Sequence, residues 1–106
     1  MNEKIRRLTR FFKALGDETR LCLVALLTEQ EPGSALCVGR LAQALDVTPS
    51  AVSQHLRVLK DLGLVQAERR GYRVHYFLDS EQLAAYQDLV YEQLGADFVV
   101  RESENP

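Results

Sequence analysis

The chain of 106 residues lacks the marks of a membrane protein, a secreted protein or an enzyme. No apolar run approaches the roughly 20 residues needed to cross a bilayer. Met1 to Arg7 is polar and charged with no apolar segment behind it, so this end does not read as a secretory signal. There are only two cysteines, Cys22 and Cys37, both in stretches of helical pattern. That suits reduced thiols in a cytoplasm better than a disulfide framework. No Ser/His/Asp or Cys/His constellation, phosphate-cradling glycine loop or paired-carboxylate motif is visible, which argues against catalysis. What remains is one domain of cytoplasmic type, with 46% hydrophobic residues to build its core. A domain this small gains from burying more surface in an oligomer.

The net charge of −2 hides a strong asymmetry. Residues 1–20 carry six Lys/Arg against three Asp/Glu, and residues 48–76 carry five against two. Residues 21–47 carry one against three, and residues 77–106 one against seven. The basic segments suit a polyanion, and the acidic C-terminal part should face away from it.

One stretch, residues 47–63, reads as a helix with both ends written out. Thr48 is a suitable N-cap, Pro49 fits the first helical position, and Gly63 can take the left-handed conformation that closes the other end. Val52, Leu56 and Leu59 form one apolar stripe. Ser50, Ser53, Gln54 and Arg57 fall on the opposite side, where hydrogen-bonding groups could read DNA base edges. Residues 50–61 would span about 18 Å at 1.5 Å per residue, enough to lie in a major groove about 12 Å wide.

Around this helix the remaining pattern falls into place. Ile5, Leu8, Phe11, Phe12 and Leu15 mark an amphipathic first helix over 3–15. Asp17 caps a second over about 18–29, with Leu21, Val24, Leu26 and Leu27 as core candidates. Leu36, Val38, Leu41 and Leu45 mark a short third helix within 35–46. A short helix, a tight turn at Asp46–Thr48 and a capped reading helix make a helix-turn-helix. Residues 64–69 and 72–78 read as a hairpin with Arg69, Arg70 and Arg73 near its tip, a wing that must pack back on the helices. Ser80 caps a last helix over 80–94, striped by Leu83, Tyr86, Val90 and Leu94. Residues 1–95 form the domain, and 96–106 an acidic tail whose last few residues should be disordered.

Leu15 Gly16 Asp17 Glu18 Thr19 Arg20 Leu21, then Ala35 Leu36 Cys37 Val38 Gly39 Arg40 Leu41, then Ser50 Ala51 Val52 Ser53 Gln54 His55 Leu56 and Gly63 Leu64 Val65, resemble the ArsR/SmtB family in order and spacing over residues 5–94. The resemblance implies a mainly α, winged helix-turn-helix homodimer of order α–α–α–α–β–β–α, joined through its first and last helices. It implies repression at an inverted-repeat operator on double-stranded DNA, with release by an inducer. The apolar faces of the two outer helices suit pairing across a two-fold axis. Ile5, Leu8 and Phe12 on one and Leu83, Tyr86 and Val90 on the other are the expected interface. The metalloid sensors of the family carry Cys-Val-Cys-Asp where this chain has Cys37 Val38 Gly39 Arg40, and its zinc sensors place Asp and His on the last helix, which here has no histidine. Cys22 and Cys37 remain as effector candidates, for a thiol-bound metal or metalloid or a redox or sulfur signal.

The expected DNA contacts are thus Ser50, Ser53, Gln54 and Arg57 toward bases, and Thr48, Lys60, Arg69, Arg70 and Arg73 toward phosphates. His55 is expected to pack or meet a phosphate, and His75 to be solvent-exposed or beside a phosphate. The alternative is a winged-helix module that binds protein rather than DNA, for which the net negative charge and acidic tail speak.

Overall fold

A computed structural model of the chain describes residues 2–31 and 35–98. Five helices, α1 (Glu3–Leu15), α2 (Glu18–Thr28), α3 (Val38–Leu45), α4 (Pro49–Asp61) and α5 (Ser80–Leu94), surround a small sheet of β1 (Leu36–Cys37), β2 (Val65–Arg70) and β3 (Arg73–Leu78). A 3₁₀ turn, Ala96–Phe98, follows α5. Among the described residues no helix is long and apolar enough to cross a membrane.

Short polar side chains start most of the helices. Asn2 accepts from the Ile5 N–H at 2.8 Å, Asp17 from Arg20 at 3.0 Å, Thr48 from Ala51 at 3.1 Å and Asp79 from Gln82 at 3.1 Å. Each satisfies one of the backbone donors a helix start leaves open. The last of these corrects the sequence reading: Asp79, not Ser80, caps α5. Asp79 also accepts from Gln66 Nε2 at 3.2 Å, so one carboxylate ties the wing to the start of α5.

The sheet differs from the simple hairpin expected. It has three antiparallel strands in the order β1–β3–β2, and the extra strand comes from the stretch read as the start of the third helix. Leu36 lies opposite Tyr76 and Cys37 opposite His75. The free edge of β3 offers backbone partners that helical periodicity at Leu36, Val38, Leu41 and Leu45 cannot reveal. The observed order is therefore α–α–β–α–α–β–β–α, and Cys37 ends a strand instead of lying inside a helix.

The core sits where α2, α3, α4 and the base of the wing meet. Leu23, Leu41, Val52, Leu56, Leu59, Leu64 and Val65 are essentially inaccessible. Leu21, expected in the core, is exposed, and Leu23 takes its place. Because α2 is apolar on nearly every side, its inward face is ambiguous from sequence. The ring of Phe11 stacks on Tyr86 with centroids 4.4 Å apart, joining α1 to α5. This corrects the expected interface: Leu8, Tyr86 and Val90 are buried within the chain's own core. Ile5 and Leu83 are half-buried, and Phe12 is exposed, meeting Phe98 edge-on at 6.5 Å. The tail expected at 96–106 is described only through the 3₁₀ turn; the disorder expected of its end lies outside the described residues.

Candidate nucleic-acid interface

The presentation of α4 begins with its two ends. At the turn before it, Asp46 takes the left-handed conformation (φ 53°), its N–H reaches Gln43 O at 3.4 Å, and the Val47 N–H reaches Ala42 O at 3.1 Å. At the far end Gly63 (φ 76°) donates to Lys60 O at 2.8 Å and Leu64 to Leu59 O at 3.1 Å. Both are Schellman closures, in which two orphan carbonyls are satisfied and the chain turns sharply. The second is sealed by contact of the fully buried Leu59 and Leu64 in the core. Tyr86 adds a hydroxyl bond to Leu62 O at 2.9 Å. The helix is thus held at its start, along its buried Val52–Leu56–Leu59 stripe, and at its end.

Its outer face is free. Thr48, Ser50, Ser53, Gln54, Arg57 and Lys60 are all exposed, so six of the nine residues expected to meet DNA stand on one projecting surface. Between α4 and β3 runs an open groove of about 730 Å³, with Ser53, Arg57 and Lys60 on one wall and Tyr76 on the other. The other three expected residues, Arg69, Arg70 and Arg73, are exposed on the wing. Arg70 and Arg73 lie directly opposite each other across the β2–β3 ladder, and Arg70 also meets Glu68 at 3.5 Å. Facing like charges destabilise a hairpin by themselves, so this pairing favours an anion laid across the wing. Tyr72, which the sequence reading passed over, projects between them and is 87% exposed.

Of the two histidines, His55 takes the packing alternative and His75 departs from expectation. His55 faces inward, where its Nδ1 lies 3.1 Å from Arg20 Nη1 and 3.9 Å from Asp17 Oδ1. Arg20 in turn donates from Nε to Ala14 O at 2.6 Å. A single arginine therefore links the end of α1, the start of α2 and the inner side of α4. Helical spacing carries no signal for this link, because the partners are 35 residues apart. His75 is half-buried rather than solvent-exposed, and its Nδ1 has no hydrogen-bond partner among the described residues.

Cys37 stands at the N-terminus of α3, bordering two adjoining clefts of about 420 and 260 Å³ that Arg40 and Arg73 also line. The Arg40 N–H holds its thiol below the ordinary range; desolvation opposes this, and the Gly39 N–H and the Arg73 charge add to it. Cys22 is exposed on α2, and neither cysteine is in a disulfide. Among the described residues no three His, Cys, Asp or Glu side chains come together as a metal site. The residues present do not fit a three-coordinate metalloid.

A projecting capped helix, a scaffold helix before it and an arginine-bearing wing after it define the winged helix-turn-helix class of DNA-binding domains. Within that class, residues 17–67 match the model of the bacterial regulatory protein, arsR family, and the chain belongs to that family. It is 39% identical over 88 residues to a transcriptional repressor SmtB homolog of Synechocystis, covering 82% of this chain and 64% of the relative. It is 35% identical over 79 residues to the transcriptional activator HlyU of Vibrio cholerae, covering 74% of this chain and 69% of that one. Among solved structures, the homodimeric winged helix-turn-helix DNA-binding domain Mb0332 of Mycobacterium bovis superposes with a TM-score of 0.66 at 27% identity, covering 92% of this chain and 88% of that one. This chain thus spans slightly under two thirds of the SmtB homolog's length. The matched family is one of bacterial regulatory proteins.

Proposed function

We propose that the protein is a cytoplasmic repressor that binds an inverted-repeat operator as a homodimer and is released by an inducer. The observation that carries this is the exposed face of α4, where Ser50, Ser53, Gln54 and Arg57 stand together without a carboxylate until Asp61. Gln and Arg can each read a base bidentately, and Thr48, Lys60, Arg69, Arg70 and Arg73 surround them with phosphate-directed groups. The net charge of −2 does not oppose this, because the acidic residues are concentrated beyond residue 76. Membership in a regulatory family favours this reading over a winged helix that binds only protein.

The dimer reading is supported by apolar surface that the protomer leaves open on α1, α5 and the turn after it. Phe12, Tyr91, Leu94 and Phe98 are each at least 41% exposed. They replace Leu8, Tyr86 and Val90 as the contact expected across the two-fold axis, beside Ile5 and Leu83. Two reading helices related by that axis would meet half-sites one helical turn or a multiple apart, hence the inverted repeat. For the inducer, Cys37 is the first candidate, because the Arg40 N–H holds its thiol below the ordinary range, and a redox, sulfur or thiophilic-metal signal there would act next to Arg73 of the wing. Cys22, exposed on another helix, is the second candidate.

The experiment is a gel shift with the DNA upstream of the protein's own gene, repeated across salt concentrations, with a reporter assay for the sign of regulation. Specific binding that weakens steeply with salt, and a reporter that rises when the gene is deleted, are the expected results. No binding even at low salt would favour the alternative, a winged-helix module that binds protein.

A further inference from the structure

The side of α4 away from the wing borders a second recess. Arg10, Lys13 and Ala14 of α1, Arg20 of α2, and Val58 and Leu62 at the end of α4 line a cleft of about 380 Å³, within the range of small-molecule sites. Its floor is apolar, and Val58 is 38% exposed there although it sits next to the core. Its rim carries three cations against one carboxylate, Asp61. Arg10 is partly engaged by Glu3 at 3.7 Å. Among the described residues, Lys13 Nζ and Arg20 Nη2 have no partner, and Asp61 forms no ion pair with any of the three.

An apolar floor under a rim that carries more cations than carboxylates selects an amphipathic anion. We propose that this cleft binds a small organic carboxylate with an apolar body, and that occupancy loosens the reading helix. The body would lie on Val58 and Leu62, and the carboxylate between Lys13 and Arg20. A guanidinium binds a carboxylate best through two parallel N–H bonds. Arg20 has committed Nε to Ala14 O and one of the two Nη1 N–H groups to His55, so a carboxylate drawn to Nη1 and Nη2 shares the guanidinium with His55 and pulls it off the His55 contact. That contact is the polar link from α2 to the inner side of α4. The ligand and the DNA-reading position of α4 therefore compete for one arginine, which is the differential interaction an inducer needs. The site is separate from Cys37 and needs no covalent step. Its regulatory consequence rests on the reading of α4 as the DNA-facing helix; the binding itself does not.

The test is a calorimetric titration of the full chain, free of DNA, with octanoate, phenylacetate, the neutral phenylacetamide and inorganic phosphate. One carboxylate should bind per chain, with the amide and phosphate weaker by about tenfold or more, and Lys13→Gln should weaken the carboxylates by about tenfold while leaving Tm unchanged. The Nδ1 resonance of His55 should move on binding. Failure of both carboxylates to bind, phosphate binding as well as they do, or affinity unchanged in both Lys13→Gln and Val58→Ser overturns the site; equal phosphate binding would assign these cations to the DNA backbone. In a second arm, carboxylate added to the protein–DNA complex should release DNA from the wild type at concentrations that saturate the free chain, and from Lys13→Gln only at about tenfold more. Binding without release overturns the regulatory half. A chain that binds carboxylate but never bound DNA would overturn the repressor reading and leave the cleft standing.

Discussion

Arg20 Nη1 stands 3.1 Å from His55 Nδ1. A guanidinium can only donate, so in this contact His55 Nδ1 is the accepting atom. The pair fastens the reading helix to the α1–α2 corner by one directional contact in a half-buried setting. Arg20→Ala and His55→Ala should each loosen α4, and the double variant should be little worse than either alone. We expect a coupling of about 1 kcal/mol in a double-mutant cycle read by denaturant unfolding. DNA affinity should fall in both single variants beyond what the loss of folded protein explains. His55→Asn, which keeps an acceptor near the same place, should recover part of it. Additive single effects would remove the link.

The same corner gives the protein an acid-sensitive point. The Arg20 N–H bonded to the Asp17 carboxylate holds its pKa below the ordinary aspartate range; desolvation pulls the other way, and the charge of Arg20 and the Thr19 N–H lower it further. A carboxylate whose folded value is depressed contributes stability that is complete above its unfolded value and is lost as pH falls through the folded one. Asp17→Ala should therefore lower Tm at neutral pH. The gap between variant and wild type should narrow as the solution is taken into the acid range below the ordinary aspartate value. Thermal melts across that range check it, and a gap independent of pH would remove the charge from the argument.

The parts of this corner and of the fold that were legible in sequence share a cause. Thr48 before Pro49, Asp17 before Glu18, and Gly63 after the last apolar turn are local signals: the residue that does the work lies within four positions of the backbone it serves. The alternation of α4 between Val52–Leu56–Leu59 and Ser50–Ser53–Gln54–Arg57 is likewise local, and so the exposed reading face could be written down from the chain alone. What could not be read depends on partners distant in sequence. β1 exists because β3 has a free edge 38 residues or more further on. Arg20 and His55 meet only because α2 crosses α4. Leu8, Tyr86 and Val90 looked like interface residues because an apolar stripe does not say whether it meets its own chain or another. Asp79 displaced Ser80 as a cap because a strand delivers it there in extended conformation.

The two Schellman closures that frame the helix-turn-helix are closed by different residues. Gly63 at φ 76° has open room for a Cβ, whose nearest neighbours would be Gln82 side-chain atoms at 3.6 Å. Gly63→Ala should then cost roughly 1–2 kcal/mol, from the left-handed backbone alone. Asp46 already bears that conformation with a side chain, so Asp46→Gly should be neutral or stabilising by roughly 0.5 kcal/mol. Urea unfolding of the two variants reads both. Opposite signs are the expectation, and a large loss from Asp46→Gly would mean that the carboxylate has a role beyond the turn.

Cys37 and Cys22 should separate in a labelling experiment. Cys37 is half-exposed, and the N–H groups that open α3 hold its thiol toward the thiolate; Cys22 is more exposed on the outside of α2 without that environment. The thiolate is the reacting form. At neutral pH Cys37 should therefore react several-fold faster with an alkylating reagent despite its lower exposure. Arg73→Ala should slow Cys37 by less than removal of the helix N-terminus would, since the Arg40 N–H is the larger cause. Mass spectrometry of partly labelled protein distinguishes the sites. Faster labelling of Cys22 would mean that access, not thiolate character, decides.

Gln54 and Arg69 should fail in different ways if the α4 face reads bases while the wing meets the backbone. Gln54 is exposed in the middle of α4, away from both ends. Its loss should cost roughly 1–3 kcal/mol against the preferred operator and much less against operators changed at the base it contacts, so that discrimination at that position collapses. Arg69, exposed on β2 opposite Val74, should act on every sequence alike. Arg69→Ala should weaken specific and nonspecific DNA by a similar factor and reduce the slope of log affinity against log salt by about one. Competition binding with a panel of singly substituted operators, repeated at several salt concentrations, measures both. If Gln54→Ala weakened all DNA equally and Arg69→Ala changed base preference, the assignments of helix and wing would have to be exchanged.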